Sequence, residues 1–299
     1  MEANARGGHT KWIAVTAIAP ISWGANYYVI NHFLPADIPL WGAALRALPA
    51  GILLILLARR LPRGSWWWRA PVLGTLNFSG FFVLIFLAAQ LLPSSIAASL
   101  MALAPFVFAL LGAALLHQRL RARTLVGATS GLIGVLMIVG LSAGAINGWG
   151  VAASVAALLT SALGSVLTER WRDDSPVVAV TAWQLLAAGA VLSVFAATIE
   201  GPPPQLEPSG LAAIAFLSIL STALAFVCWF HGLAHLPSGV VGIIGLLNPV
   251  TGVLLGTVLA GERLTVAQAI GIALVLIGIL IGQSERRSRP SDAAPQGAN

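Results

Sequence analysis

The sequence predicts an all-α integral membrane protein of ten transmembrane helices, arranged as two inverted five-helix repeats, and three observations carry that expectation. Of the 299 residues, 58% are hydrophobic and only 9% charged, with a mean hydropathy of +0.90, whereas about a quarter of a soluble domain is charged. The charges fall in clusters, and the uncharged stretches between them are one or two bilayer crossings long, at about 20 residues each. Finally, one part of the chain repeats another at a fixed offset of 144 positions.

The spans run 12–32, 38–58, 70–90, 94–116, 124–141, 149–168, 176–198, 210–234, 238–260 and 264–283. The first is too long an apolar run for a cleaved signal peptide, and no small-residue cleavage site follows it. Charge-free blocks divide at turn signals: "LLPSS" separates the third span from the fourth, "GLSAGAING" the fifth from the sixth, and "AHLPSG" the eighth from the ninth. Residues 1–11 form an N-terminal segment, 12–141 the first repeat, 149–283 the second, and the polar 284–299 a tail expected to be disordered.

Arginine sets the orientation. With the N-terminus inside, 14 of the 16 basic residues occupy inner segments, Arg263 alone lies in an outer loop and Arg46 lies within a helix. That bias follows the positive-inside rule and places both termini, 117–123 and 169–175 in the cytoplasm, with 199–209 and 261–264 outside. The net charge of +6 therefore reports topology, and nucleic-acid binding is not implied.

Residues 72–138 align without a gap on 216–282, with 21 of 67 positions identical. Pro93 pairs with Pro237, Pro105 with Pro249, Gly112 with Gly256, Arg119 with Arg263, Gly127 with Gly271 and Gly134 with Gly278. Five helices per unit is an odd number, so the second copy enters the membrane in the opposite sense. Inverted repeats characterise secondary transporters, with a site near the midplane between the halves. Pro105 and Pro249 sit halfway along helices 4 and 9, each removing one backbone bond, so they either hinge the bundle or merely shape it.

Arg46 is the single charged residue inside any span, eight residues in from Ile38, about 12 Å by helical rise. It is expected to contact substrate or to fix helix 2 by an interhelical hydrogen bond. Its counterpart in the second half is Gln184. Trp23, Asn26 and Tyr27 of helix 1, Asn77 and Phe78 of helix 3, Trp183 of helix 7 and Asn248 beside Pro249 complete the candidate lining, a set suited to an aromatic or amphipathic metabolite. Aromatics also fill helix interfaces and face lipid, which competes with that assignment. Gly127 and Gly131 in helix 5, with Gly278 and Gly282 in helix 10, permit close helix contact, expected within one chain, so that a monomer is favoured and a dimer remains open.

Other chemistry finds little support. The lone cysteine, Cys228, excludes disulfides and multi-thiolate metal sites, and no Gly-Lys phosphate loop is present, so neither metal nor nucleotide cofactor is expected. All ten acidic residues lie in termini, loops or helix ends, which argues against an acidic proton relay and for facilitated movement. "NFSG" at 77–80 is similar to an intramembrane serine protease motif, with His231 a conceivable base, but Ser79 is mid-helix and an inverted repeat has no purpose in such an enzyme. A receptor or scaffold without transport is the remaining alternative.

"SWGANYYVI" in helix 1, Arg46 in helix 2, "LLPSSIAASLMALAPFVFALLGAALLHQRL" and "LPSGVVGIIGLLNPVTGVLLGTVLAGERL" together resemble the drug/metabolite transporter superfamily, with two EamA-type repeats covering nearly all of 12–283. The chain departs from the family pattern at Gln118, where a glutamate is usual. The resemblance implies export of small metabolites, often amino acids and aromatic ones nearest, across a bacterial inner membrane. It further implies a central cavity between helices 1–4 and 6–9, with helices 5 and 10 bracing the outside.

Overall fold

A chain in hydrocarbon must satisfy its backbone polar groups internally, which leaves the helix as the available solution for segments this apolar. The computed structural model describes residues 2–117, 122–140, 146–236 and 238–283, and these contain helices and no strand. In order they are α1 (Glu2–Phe33), α2 (Pro39–Ala58), α3 (Trp66–Gly74), α4 (Gly80–Leu91), α5 (Ser94–Met101), α6 (Ala104–Leu116) and α7 (Ala122–Gly140). The second half holds α8 (Gly148–Arg170), α9 (Val177–Ile199), α10 (Pro208–Ala215), α11 (Ala225–His235), α12 (Ser238–Gly245), α13 (Leu247–Val258) and α14 (Val266–Gln283). Among the described residues, seven helical stretches are long and apolar enough to cross a membrane, and three shorter apolar helices accompany them. Helices occupy every expected span, most ends agreeing within a few residues; the first begins earlier than its apolar run, and the third starts at Trp66. The expected tail, Gln118 and Pro237 lie outside the described residues.

Two rods carry an internal change of pitch. A π-helical turn over Thr75–Ser79 joins α3 to α4, and a longer one over Phe216–Leu224 joins α10 to α11. The 144-residue offset maps 75–79 onto 219–223, so the wide turns occupy matched places. Such turns are rare and concentrate at functional sites.

The proline-bearing rods are each interrupted by a tightened turn just ahead of the proline. Between α5 and α6 the backbone tightens, with Ala102 N donating to Ser99 O at 3.3 Å and Leu103 N to Leu100 O at 3.2 Å, and Pro105 falls in the first turn of α6. Leu246 N likewise donates to Ile243 O at 3.1 Å ahead of Pro249, in the first turn of α13. A proline supplies no donor to the turn before it, and bonds three residues back recover part of the loss.

Glycine decides how the rods meet. A side chain on Gly278 would stand 2.5 Å from the Gly127 carbonyl, and one on Gly271 2.5 Å from the Gly134 carbonyl, so α7 and α14 touch backbone to backbone. Gly131 abuts Leu103 and Phe106, and Gly282 abuts Phe106, in the same seam. Numbers rise along α7 as they fall along α14, which makes the pair antiparallel. The repeat-equivalent glycines therefore meet crosswise. The same holds where α2 packs on α9: Gly51 lies over Leu186, and Gly189 over Leu48. The remaining packing is similarly matched, with α4 on α8 answered by α11 on α1, and α13 on α1 by α6 on α8.

Candidate functional site

Arg46 projects from α2 into the interior and is only 4% exposed. Its Nε donates to the Thr222 hydroxyl at 3.0 Å, and its guanidinium carbon stands 4.0 Å from the centre of the Phe82 ring, a cation–π contact. Thr222 belongs to the wide turn, and its hydroxyl donates in turn to Leu217 O, five residues back, at 2.8 Å. While it donates to the backbone, the hydroxyl keeps lone pairs to accept from the guanidinium.

Asn26 of α1, 5% exposed, completes the setting. With its amide oxygen turned toward Arg46, as the surrounding donors and acceptors require, it accepts from Arg46 Nη2 at 3.1 Å. Its amide nitrogen then donates to Ser22 O at 3.1 Å and to Ser221 Oγ at 2.5 Å. Trp23 donates from its indole to Ser221 O at 3.0 Å. Among the described residues no carboxylate pairs with Arg46; the ion pair present is the exposed Arg172–Glu169, at 3.9 Å. The buried positive charge is met by neutral oxygens and an aromatic face alone.

An aromatic ladder leads away from it. Phe82 touches Phe78 at 5.5 Å between ring centres, Phe78 touches Phe226 at 5.6 Å, Phe226 touches Trp23 at 5.6 Å, and Trp23 touches Trp229 at 5.4 Å. Tyr27 is buried in the same core. Asn77 and Gln184 form a second polar cluster: Asn77 Nδ2 donates to Gln184 Oε1 at 2.8 Å and to Thr168 Oγ1 at 3.2 Å. At the repeat offset Asn77 corresponds to Ser221 and Phe78 to Thr222. This cluster is therefore the counterpart of the first, with a neutral amide where the other half holds a guanidinium.

Two candidates lie apart. Trp183 precedes Gln184 but leaves the axis of α9 in another direction, donating to Arg60 O at 2.8 Å and packing on Trp66 at 5.5 Å, near the end of the bundle. Asn248 sits in the first turn of α13, where its backbone carbonyl contacts Gly24 of α1 and its buried Oδ1 has no hydrogen-bond partner. The structure brings Arg46, Asn26, Trp23 and Phe78 into one connected set, and Asn77 with Gln184 into another.

Comparison with known proteins decides the family. The sequence profile of the EamA-like transporter family matches residues 10–140 and again 148–282. The chain belongs to the EamA-like transporter family. Among its relatives, Protein PecM of Dickeya dadantii is 36% identical over 267 residues, covering 89% of this chain and 90% of that one. The uncharacterised inner membrane transporter YedA of Escherichia coli is 30% identical over 275 residues, 87% of either chain. A probable amino-acid metabolite efflux pump of Salmonella typhimurium is 27% identical over 282 residues, 87% of this chain and 91% of the pump. A solved crystal structure superposes with a TM-score of 0.66 at 25% identity, over 91% of this chain and 97% of its own. The protein is accordingly a membrane transporter rather than an enzyme.

This EamA-like chain also carries two long-range helix caps without a local cue in the sequence. Glu262 Oε1 accepts from Ser94 N at 2.6 Å, while its Oε2 accepts from Ser95 N at 3.1 Å and from Ser95 Oγ at 2.5 Å, closing the N-terminus of α5. Glu200 accepts from Leu40 N at 2.7 Å and Trp41 N at 2.9 Å, closing α2. Carboxylates are favoured where a helix presents unpaired N–H groups. "LPSS" and "GERL", read from the sequence as a turn and a family signature, are the two sides of one lock. Glu262→Gln keeps the size and loses the charge, and should destabilise by roughly 0.5–2 kcal/mol. It is read as a lower thermal unfolding midpoint in detergent.

Proposed function

We propose that this transporter exports small carboxylate-bearing metabolites, amino acids foremost and aromatic ones among them, from the cytoplasm by alternating access. The observation that carries the reading is Arg46, a buried cation held by Thr222, Asn26 and Phe82 with no carboxylate among the described residues. A buried charge without a counter-charge costs several kcal/mol, and a solute carboxylate supplies the missing partner through a charge-assisted, bidentate contact. The aromatic ladder offers the side chain of such a solute a face to stack on. The name of the Salmonella relative, a probable amino-acid metabolite efflux pump, supports the same class. A competing reading, Arg46 as a fixed bridge between helices, is favoured by its bonds to Thr222 and Asn26.

Ten spans in two inverted five-helix units are the architecture proposed for it. Support comes from the double match of the family profile and from the antiparallel, crosswise contacts of α7 with α14 and α2 with α9. The protein acts as a monomer in this reading, its glycine seam being spent within the chain. It sits in the inner membrane with both termini cytoplasmic, as arginine distribution requires, and no acidic residue lies where it would relay protons, so movement is facilitated. The breaks at Pro105 and Pro249 serve as hinges that let α5 and α13 part and close around a fixed site.

In liposomes, Arg46→Gln should cut export of amino acids at least about tenfold, a change worth about 1.4 kcal/mol, and spare their amides; Arg46→Lys should retain part of the activity. Equal loss for acids and amides establishes the fixed bridge instead. Pro105→Ala and Pro249→Ala should leave a folded protein whose exchange rate falls several-fold, and parental rates in both variants refute the hinge. For orientation, in a Cys228→Ala background an impermeant thiol reagent added to intact cells should label a cysteine at 263 and not one at 172.

A further inference from the structure

Away from Arg46, at the arginine-bearing end of the bundle, α2, α3 and α9 leave between them an apolar cleft of about 270 Å³. Ile55, Leu61, Trp66, Trp67, Trp183 and Leu186 line it. Its wall is fixed. The Arg59 N–H closes α2 on Ile55 O at 2.8 Å, with Arg59 in the left-handed region at φ 50°, and the next residue's carbonyl accepts the Trp183 indole at 2.8 Å. The Trp66 indole donates to Asp173 Oδ2 at 2.6 Å. A loop that carries exposed arginines is thereby pinned along the rim, with Arg60 and Arg63 flanking Leu61 and Pro62 of the wall itself.

The charges around that rim do not cancel. Burial pushes the Asp173 carboxyl up, but the Trp66 indole, hydrogen bonds from Ser175 and the charge of Arg69 outweigh it and hold it below the usual carboxylate range. Asp173 thus stays ionised and is answered by Arg69, whose guanidinium lies between Trp68 and Trp171, at 5.6 and 5.8 Å from their ring centres. Asp174 follows in sequence, and Glu169 at the end of α8 is paired with Arg172 at 3.9 Å. Arg59, Arg60 and Arg63 have no ion-pair partner among the described residues. A dry groove with tryptophans at its mouth and unpaired cations on its rim matches an amphiphile with an anionic head and a hydrocarbon tail.

We infer that the cleft binds an anionic phospholipid, its phosphate on Arg60 and Arg63 and part of one acyl chain against Trp67, Ile55 and Leu186. The cytoplasmic leaflet, where basic juxtamembrane segments meet anionic lipid, is the leaflet concerned; that assignment alone rests on the orientation proposed above. Lipid held there ties the α2–α3 loop to α9, the helix that bears Gln184, so the site is placed to stabilise the packing of α2 on α9.

The test uses the full-length protein purified in detergent, offered equal amounts of phosphatidylglycerol and phosphatidylcholine, with bound lipid counted by native mass spectrometry. The unaltered protein should retain phosphatidylglycerol at least about fivefold over phosphatidylcholine. The double variant Arg60→Gln/Arg63→Gln should lose that preference, phosphatidylglycerol retention falling about fivefold to the level of phosphatidylcholine, as expected when basic residues near a charged lipid head are removed, and leave phosphatidylcholine unchanged. Ala187→Phe, which fills the cleft from α9, should lower phosphatidylglycerol retention as well, whereas Arg263→Gln should not. Equal retention of the two lipids by the unaltered protein overturns the proposal without recourse to any variant, as does a double variant that keeps the parental preference. The readout involves no transport, so its failure leaves the export reading untouched, and the reverse.

Discussion

Hydrocarbon offers a polar group no partner, and the chain meets that constraint within its own structure. Where Pro105 and Pro249 withdraw a donor, the chain tightens to bonds three residues back, and the rods become pairs of shorter helices. The N-termini of α2 and α5 present unpaired N–H groups, and Glu200, just past α9, and Glu262, in the segment after α13, accept from them. Where Arg46 enters the core, a wide turn on the facing rod supplies Thr222, and α1 supplies Asn26. The guanidinium remains without a carboxylate among the described residues.

Rigid and breakable contacts are distributed unequally. α7 and α14 meet backbone to backbone over Gly127, Gly134, Gly271 and Gly278, and α2 and α9 do so at Gly51 and Gly189; a seam without side chains has little room to slide. By contrast α5 and α13 each adjoin a tightened turn in their rods, and they are joined to one another through the contact of Ala98 with Gly252 and through Glu262, in the segment that follows α13.

The helices and their apolar character were legible because a bilayer imposes length and hydrophobicity on each crossing, and the 144-residue offset stands out through rare letters such as Pro and Arg. Arg46 stood out as the single charge within a span. What stayed hidden depended on direction or distance. Trp183 lies beside Gln184 in sequence, and roughly 100° per residue of helical rotation sends the two to different clusters. Glu262 and Ser94 are 168 positions apart, so nothing local announced the cap. The wide turns at Thr75–Ser79 and Phe216–Leu224 have no composition of their own, and a matched departure from helical pitch leaves no trace in hydropathy. Thr222 and Ser221 matter because of those turns.

The neutral cluster of Asn77, Gln184 and Thr168 clarifies what Arg46 adds. The repeat has built the same place twice, and one half has a charge. If that charge exists to meet a solute carboxylate, then a structure determined with the exported amino acid bound is the most direct measurement. Carboxylate anchoring predicts an oxygen of the solute within about 3 Å of the Arg46 guanidinium, with its side chain against Phe78, Phe226 or Trp23. A solute bound with its carboxylate elsewhere, while Arg46 keeps its bonds to Thr222 and Asn26, would contradict it.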